Sequence, residues 1–196
     1  MQIAIVIFNM EQKQKIKLIF GIFLLILGFM LNYLSSNYLA IKDLDCPKNP
    51  DIFLDLFKEP HPNYMIILEI FIVVIIALFV FLNRKNIDIL LDSLIVFGLF
   101  NILRGIMLPL TILGGLESYS LLKEYNTFSF GLFPSGHSSI PAIFLFLTKN
   151  KKFLFSIFLI ITAIFLIISQ QHYTIDIISS IIFVYAIKSA YEKNIR

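Results

Sequence analysis

The chain has 196 residues, 58% of them hydrophobic and 21 of them Phe, with a mean hydropathy of +0.87. Soluble domains are usually about 45–50% apolar, so one water-soluble core does not account for this composition. A net charge of +3 without a basic stripe excludes a nucleic-acid surface, and a lone Cys46 excludes an intrachain disulfide or a cysteine metal cluster.

Residues 1–10 are apolar but too few to span a bilayer. Six longer apolar stretches follow, at 17–41, 64–82, 88–113, 137–148, 153–169 and 174–190. A membrane helix needs about 20 such residues, and the fourth stretch is short of that. No small-residue cleavage site follows the first, which therefore reads as a retained helix and not a signal peptide. The expected fold is all-α: a six-helix integral membrane bundle, residues 1–196 forming a single membrane domain.

Lysine and arginine placement sets the expected orientation. With both termini cytoplasmic, only Lys42, Lys48, Lys58, Arg104 and Lys123 of the 16 basic residues face outward. This predicts a multi-pass protein of the cell membrane, with loops 42–63, 114–136 and 170–173 on the outer face. The first of these loops is rich in acid, with Asp43, Asp45, Asp51, Asp55 and Glu59.

The second outer loop ends in Gly131-Leu132-Phe133-Pro134-Ser135-Gly136-His137-Ser138-Ser139, directly before a predicted helix. Ser135 or Ser138 can cap that helix. Gly136 permits close backbone approach to an anion, and the free N–H groups of a first turn favour phosphate. His137 is the titratable group of the motif, able to hold or release a proton near neutral pH. The helix from His137 to Thr148 rises only about 18 Å, against a hydrocarbon core about 30 Å thick. If its far end reaches Lys149-Asn150-Lys151-Lys152, the motif is recessed in a pocket open to the outer leaflet. The plain alternative is a Ser-Gly turn with a chance histidine.

Ser169-Gln170-Gln171-His172-Tyr173-Thr174-Ile175-Asp176 joins the last two stretches. On a helix reaching back to His172, His172 and Asp176 would share a face. A carboxylate beside an imidazole fixes its tautomer and stabilises its cation, as in nucleophilic triads. The plain alternative is a wetted interfacial His172 with Asp176 as a cap. Both histidines fall on one side of the six-span arrangement, which favours one site over two accidents.

Phosphoryl transfer asks mainly for positioning and cations. In that chemistry His172 would attack phosphorus to form a phosphohistidine, Asp176 would hold it, and His137 would protonate the departing oxygen. Water or an alcohol then releases the phosphate. No metal or cofactor is expected, and no Asp/His cluster resembles a two-metal site. Arg104 either grips phosphate oxygens or snorkels to the surface. Glu69 admits three roles: a protonated acid, a partner of Arg104, or an orienter of a histidine. Asp92 reads as structural and His61 as a loop residue.

Phe133-Pro134-Ser135-Gly136-His137 and His172-Tyr173-Thr174-Ile175-Asp176 resemble the second and third signatures of the type 2 phosphatidic acid phosphatase superfamily. The resemblance implies six helices, a metal-independent phosphohistidine mechanism, His172 as nucleophile, Asp176 as its partner and His137 as acid. Within that superfamily, His172-Tyr173-Thr174-Ile175-Asp176 is similar to the sphingomyelin-synthase branch. Asn49-Pro50-Asp51-Ile52-Phe53-Leu54-Asp55-Leu56-Phe57 and the stretch from Arg104 to Thr111 resemble that branch more loosely. Two departures stand out. Typical phosphatases carry a Lys and an Arg in the first signature, here reduced to Arg104, and another Arg where this chain has Leu166. Fewer cations suit a singly charged phosphodiester, whereas the proline in Phe133-Pro134-Ser135-Gly136-His137 is the phosphatase spelling. Lys123 restores one charge if its loop reaches the site.

The function expected first is hydrolysis of a phospholipid or polyprenyl phosphate, with Arg104, Ser135 and Gly136 binding the phosphate and His137, His172 and Asp176 catalytic. The second is headgroup transfer of the sphingomyelin-synthase type. Behind them stand a non-catalytic lipid-binding or transport scaffold and a proton-coupled transporter using Glu69, Arg104 and Asp92. The oligomeric state is not encoded in any feature of the sequence.

Overall fold

The computed structural model describes residues 10–41, 50–57, 62–111 and 133–194. Asp43, Asp45, Cys46, Glu59, His61 and Lys123 lie outside the described residues. Every regular element among the described residues is an α-helix: α1 (Gln12–Ile41), α2 (Ile52–Asp55), α3 (Pro62–Asn83), α4 (Ile87–Met107), α5 (Gly136–Leu147), α6 (Lys152–Ile168) and α7 (Thr174–Asn194). Four helices are long and apolar enough to cross a membrane: α1 over Gln12–Leu39, α3 over Ile66–Asn83, and the whole of α4 and α7. α5 and α6 are apolar but shorter, at 12 and 17 residues. Ile19, Ile26, Val73, Ile160 and Ile182 are exposed, a belt that suits hydrocarbon and not water.

Local chemistry sets the helix ends. α3 opens on Pro62, whose missing N–H costs nothing in a first turn. Asn86 caps α4 by accepting from Ile89 N at 3.3 Å. The third apolar stretch, expected to run to 113, leaves the helix at Met107. Pro109 has no N–H and its ring opposes the carbonyl one turn back. α1 starts at Gln12, before the expected 17, because its lysines need not be in lipid. Lys17 turns inward, donating to Asp92 Oδ1 at 2.8 Å, where Tyr191 Oη also donates at 2.7 Å. This buried knot ties α1, α4 and α7 at the end of the bundle away from the histidines.

α1 lies along α4, while α5 packs against α4, α6 and α7, and α3 against α6. Glycines let the α1–α4 pair approach closely. A Cβ on Gly28 would stand 2.6 Å from Asn101 Cβ, one on Gly98 2.7 Å from Leu24 Cβ, and one on Gly105 2.7 Å from Leu31 Cβ. The seven-residue spacing of Gly21 and Gly28, and of Gly98 and Gly105, puts each pair on one face. Such small-residue seams drive helix association in lipid. The opposite side of the core is phenylalanine. Phe79 stacks on Phe144 with ring centroids 3.7 Å apart, and Phe155, Phe158, Phe71 and Phe165 continue edge-to-face at 5.7–6.1 Å.

Gly98→Ala separates these terms. Helix propensity favours Ala by about 1 kcal/mol, but overpacking costs about 1–3 kcal/mol. The apparent Tm in detergent is expected to fall. Gly136→Ala, whose nearest neighbour would be Arg104 at 3.8 Å, is expected to leave it nearly unchanged. Equal Tm values would contradict the close α1–α4 seam.

Candidate functional site

Asp176 is the third residue of α7 and is fully buried. Its Oδ2 accepts from Tyr173 N at 2.9 Å. This reach back to the residue before the helix is half of a capping box. The same oxygen faces His172 Nδ1 at 3.3 Å, longer than a strong hydrogen bond. In the tautomer that donates from Nδ1 to this oxygen, the lone pair of His172 stands on Nε2. Asp176 Oδ1 and the Gln171 side-chain nitrogen are buried with no hydrogen-bond partner among the described residues.

His172 does not reach Asp176 along a continuous helix. α6 ends at Ile168, and residues 169–173 form the turn between α6 and α7. Gln171 N donates to Leu166 O and Gln170 N to Ile167 O, each at 3.0 Å. That is a Schellman stop, with Gln170 in the left-handed position at φ 52°. A non-glycine residue there costs of order 1–3 kcal/mol. The reversal at Gln170 sends the chain back, so that His172 meets the first turn of α7 from outside it.

The first motif closes on the second through backbone and side chain. Ser135 N donates to the Asp176 carbonyl at 3.1 Å. Of the two candidate caps, Ser135 serves: its Oγ accepts from Ser138 N at 3.4 Å. Ser138 Oγ instead meets Ser180 Oγ of α7 at 2.6 Å. His137, the second residue of α5, thereby faces His172, with ring centroids 6.1 Å apart and planes inclined at 63°. Pro141 lacks the N–H that would close onto the His137 carbonyl.

Arg104 projects from α4 to this same place. Its Nε donates to Pro134 O at 2.9 Å and its Nη1 to Asn32 Oδ1 at 3.1 Å. Gly136 lies against the guanidinium, where a Cβ would be 3.8 Å from Cζ. The side chain is directed into the Pro134-Ser135-Gly136-His137 turn and does not snorkel. Asn32, buried in α1, donates from Nδ2 to Gly28 O and Asn101 O, both at 2.7 Å. Both amide hydrogens are spent, which fixes Oδ1 toward Arg104.

The structure therefore brings His137, His172, Asp176, Arg104, Ser135 and Gly136 to one end of the bundle. Glu69 makes no ion pair with a described residue, and Asp92 belongs to the distant Lys17 and Tyr191 knot. Among the described residues no group of three or more His, Cys, Asp or Glu is arranged to hold a metal. Sequence reasoning missed two residues. Asn32 had a signal, a polar amide in the middle of an apolar span. Asp51 was singled out only as part of an acidic loop and of the stretch from Asn49 to Phe57, with no role assigned to it. It accepts from Thr174 N at 2.6 Å and Thr174 Oγ1 at 2.9 Å, at the start of α7. Burial alone would raise the pKa of Asp51, but hydrogen bonds from Thr174, Leu54 and Phe53 outweigh it and hold the carboxyl below its usual range.

No family model matches the chain, and no curated protein matches it.

Asn32→Leu removes an acceptor from Arg104 and a donor from two buried carbonyls. The two carbonyls keep their own helical N–H partners, so each lost hydrogen bond costs about 0.5–1.5 kcal/mol. The variant is expected to lower the apparent Tm in detergent more than Ser93→Ala, which removes one part-buried local hydrogen bond. A Tm equal to that of the parent would contradict the assigned network.

Proposed function

We propose that the chain is a membrane enzyme that transfers phosphoryl groups from lipid phosphates through a covalent intermediate on His172. The supporting observation is the facing pair of imidazoles, 6.1 Å between centroids, one of them backed by the buried Asp176. The two histidine motifs spell those of the type 2 phosphatidic acid phosphatases, and the reading assigns the chain to that superfamily. Six spans, cytoplasmic termini and a site open to the outer leaflet complete the proposal. In it α5 and α6 cross as the shorter members of the bundle, with the site recessed where α5 begins.

The contact of His172 with Asp176 and the facing His137 support the following steps. The lone pair on His172 Nε2 attacks phosphorus, and the P–O bond to the lipid alcohol breaks with its electron pair on oxygen. His137 gives that oxygen a proton. Positive charge on His172 is offset by Asp176, which also keeps Nδ1 protonated. Water then gives a proton to His137 and attacks phosphorus, and the P–N bond breaks to restore His172. Lipid phosphate and water have become lipid alcohol and free phosphate. Arg104 contributes positive charge beside Gly136, at the N-terminus of α5, where a phosphate is favoured.

Headgroup transfer from a phosphodiester is the second reading, and a specific observation favours it. Two Arg104 nitrogens are engaged by Pro134 and Asn32. Leu166, at the position where typical phosphatases carry another Arg, is fully buried in the apolar core. A singly charged diester needs fewer cations than a dianionic monoester. An alcohol lipid in place of water in the second step makes the same machinery a transferase.

The test is a panel of phosphatidic acid, phosphatidylglycerol phosphate, polyprenyl diphosphate and phosphodiester headgroup donors. Purified protein in chelator is scored for free phosphate and for new lipid products. Phosphate release supports hydrolysis, and a new headgroup on an added alcohol lipid supports transfer. His172→Ala is expected to abolish either activity, and Asp176→Asn to lower kcat by roughly 10²-fold or more. Full turnover by His172→Ala would overturn the proposal.

A further inference from the structure

α7 begins without a cap of its own. The residue before it is Tyr173, and a phenol cannot fold back onto the first-turn N–H groups as Ser, Thr, Asp or Asn does. Asp176 covers the Tyr173 N–H. The Thr174 N–H is covered from far along the chain, by Asp51 Oδ2 at 2.6 Å, while Asp51 Oδ1 accepts from Thr174 Oγ1 at 2.9 Å. The same carboxylate caps its own helix, Oδ1 accepting from Phe53 N at 3.0 Å and Leu54 N at 3.3 Å. One carboxylate thus caps α2 and covers the N-terminus of α7, whose dipole favours its charge.

A second tie holds the other end of the same turn. Gln170 Nε2 donates to Phe57 O at 2.6 Å, beyond the C-terminus of α2. Between the two ties Leu54, fully buried, packs on Tyr173 with Ile167 alongside. Residues 51–57 therefore bracket residues 170–174, and His172 lies between the brackets. Gln170 is also the non-glycine residue held at positive φ, so the tie sits where the turn is strained. Nothing in this arrangement places Asp51 on the reacting groups.

We propose that Asp51 is a positioning residue for the nucleophile, clamping the His172 turn onto the start of α7 by capping α2 and α7 together. The carboxylate is specifically required. Asn offers one acceptor oxygen and would set an N–H against an N–H at Thr174. Glu carries its oxygens one methylene further from α2. The catalytic half of the proposal rests on the reading of His172 given above; the clamp itself rests on geometry alone.

The experiment uses the full chain in nanodiscs, with Asp51→Ala, Asp51→Asn and Thr174→Val. Hydrogen exchange is measured in peptides covering 170–176, with α4 peptides as the internal reference for global unfolding. Asp51→Ala is expected to speed exchange in 170–176 but not in α4, with Asp51→Asn intermediate and Thr174→Val mildest. Kinetically, Asp51→Ala is expected to lower kcat about 10- to 100-fold, the scale of a small misplacement of a reacting group, with KM little changed. Double substitution of Asp51→Ala with Thr174→Val should cost no more than Asp51→Ala alone, since both cut one tie. Unchanged exchange in 170–176 would overturn the clamp. A raised KM with unchanged kcat would overturn the positioning role, because it would make Asp51 a substrate contact. If Asp51→Ala loses the α4 reference protection as well, Asp51→Asn and Thr174→Val decide by the same criteria. Absence of turnover by the parent protein would sink the enzymatic reading and leave the exchange result to judge the clamp.

Discussion

A fully buried carboxylate in the first turn of α7 holds two distant stretches of chain together. Asp176 accepts His172 Nδ1 and Tyr173 N on its side chain, and Ser135 N on its carbonyl. A charge in that position is costly unless its oxygens are satisfied. The donors that satisfy Oδ2 come from the second histidine motif, and the one on the carbonyl comes from the first. Asp176 thus brings His137 and His172 to the same place through two separate groups, its carboxylate and its backbone carbonyl, while Oδ1 has no hydrogen-bond partner among the described residues. Asp51 extends the arrangement outward, completing the helix start that Asp176 leaves half capped.

Arg104 enters from the other side of the bundle, and its position depends on how closely α1 and α4 approach. Gly28, Gly98 and Gly105 remove the side chains that would hold these helices apart. Only at that separation does Asn32 reach the carbonyl of Asn101 and turn its oxygen to the guanidinium. The proposed site is therefore built by two kinds of packing, a glycine seam behind Arg104 and a capped turn behind His172. The stacked phenylalanines of α3, α5 and α6 keep α5 in register between them.

Much of the helical framework was legible, because runs of about 20 apolar residues have few other uses. The boundaries were less so. Lys17 is compatible with α1 because Asp92, 75 residues later, receives it. Pro109 ended α4 earlier than hydropathy alone indicates. The six candidate site residues could be chosen by chemistry, yet the way His172 meets Asp176 could not. Spacing of four suggests a shared helix face, whereas the chain makes a Schellman turn and approaches the helix from outside. Asn32 and Asp51 were the least legible, since their partners are 72 and 123 residues away. Local patterns carry no information about such pairings.

The proposed function turns on His172 carrying the phosphoryl group. It is tested most directly by rapid quench of the protein turning over a labelled lipid phosphate, followed by digestion under alkaline conditions and mapping of the label. An acid-labile, alkali-stable phosphate on His172 that forms and decays at the turnover rate is expected. Turnover with no label on His172, or with the label on another residue, would contradict it.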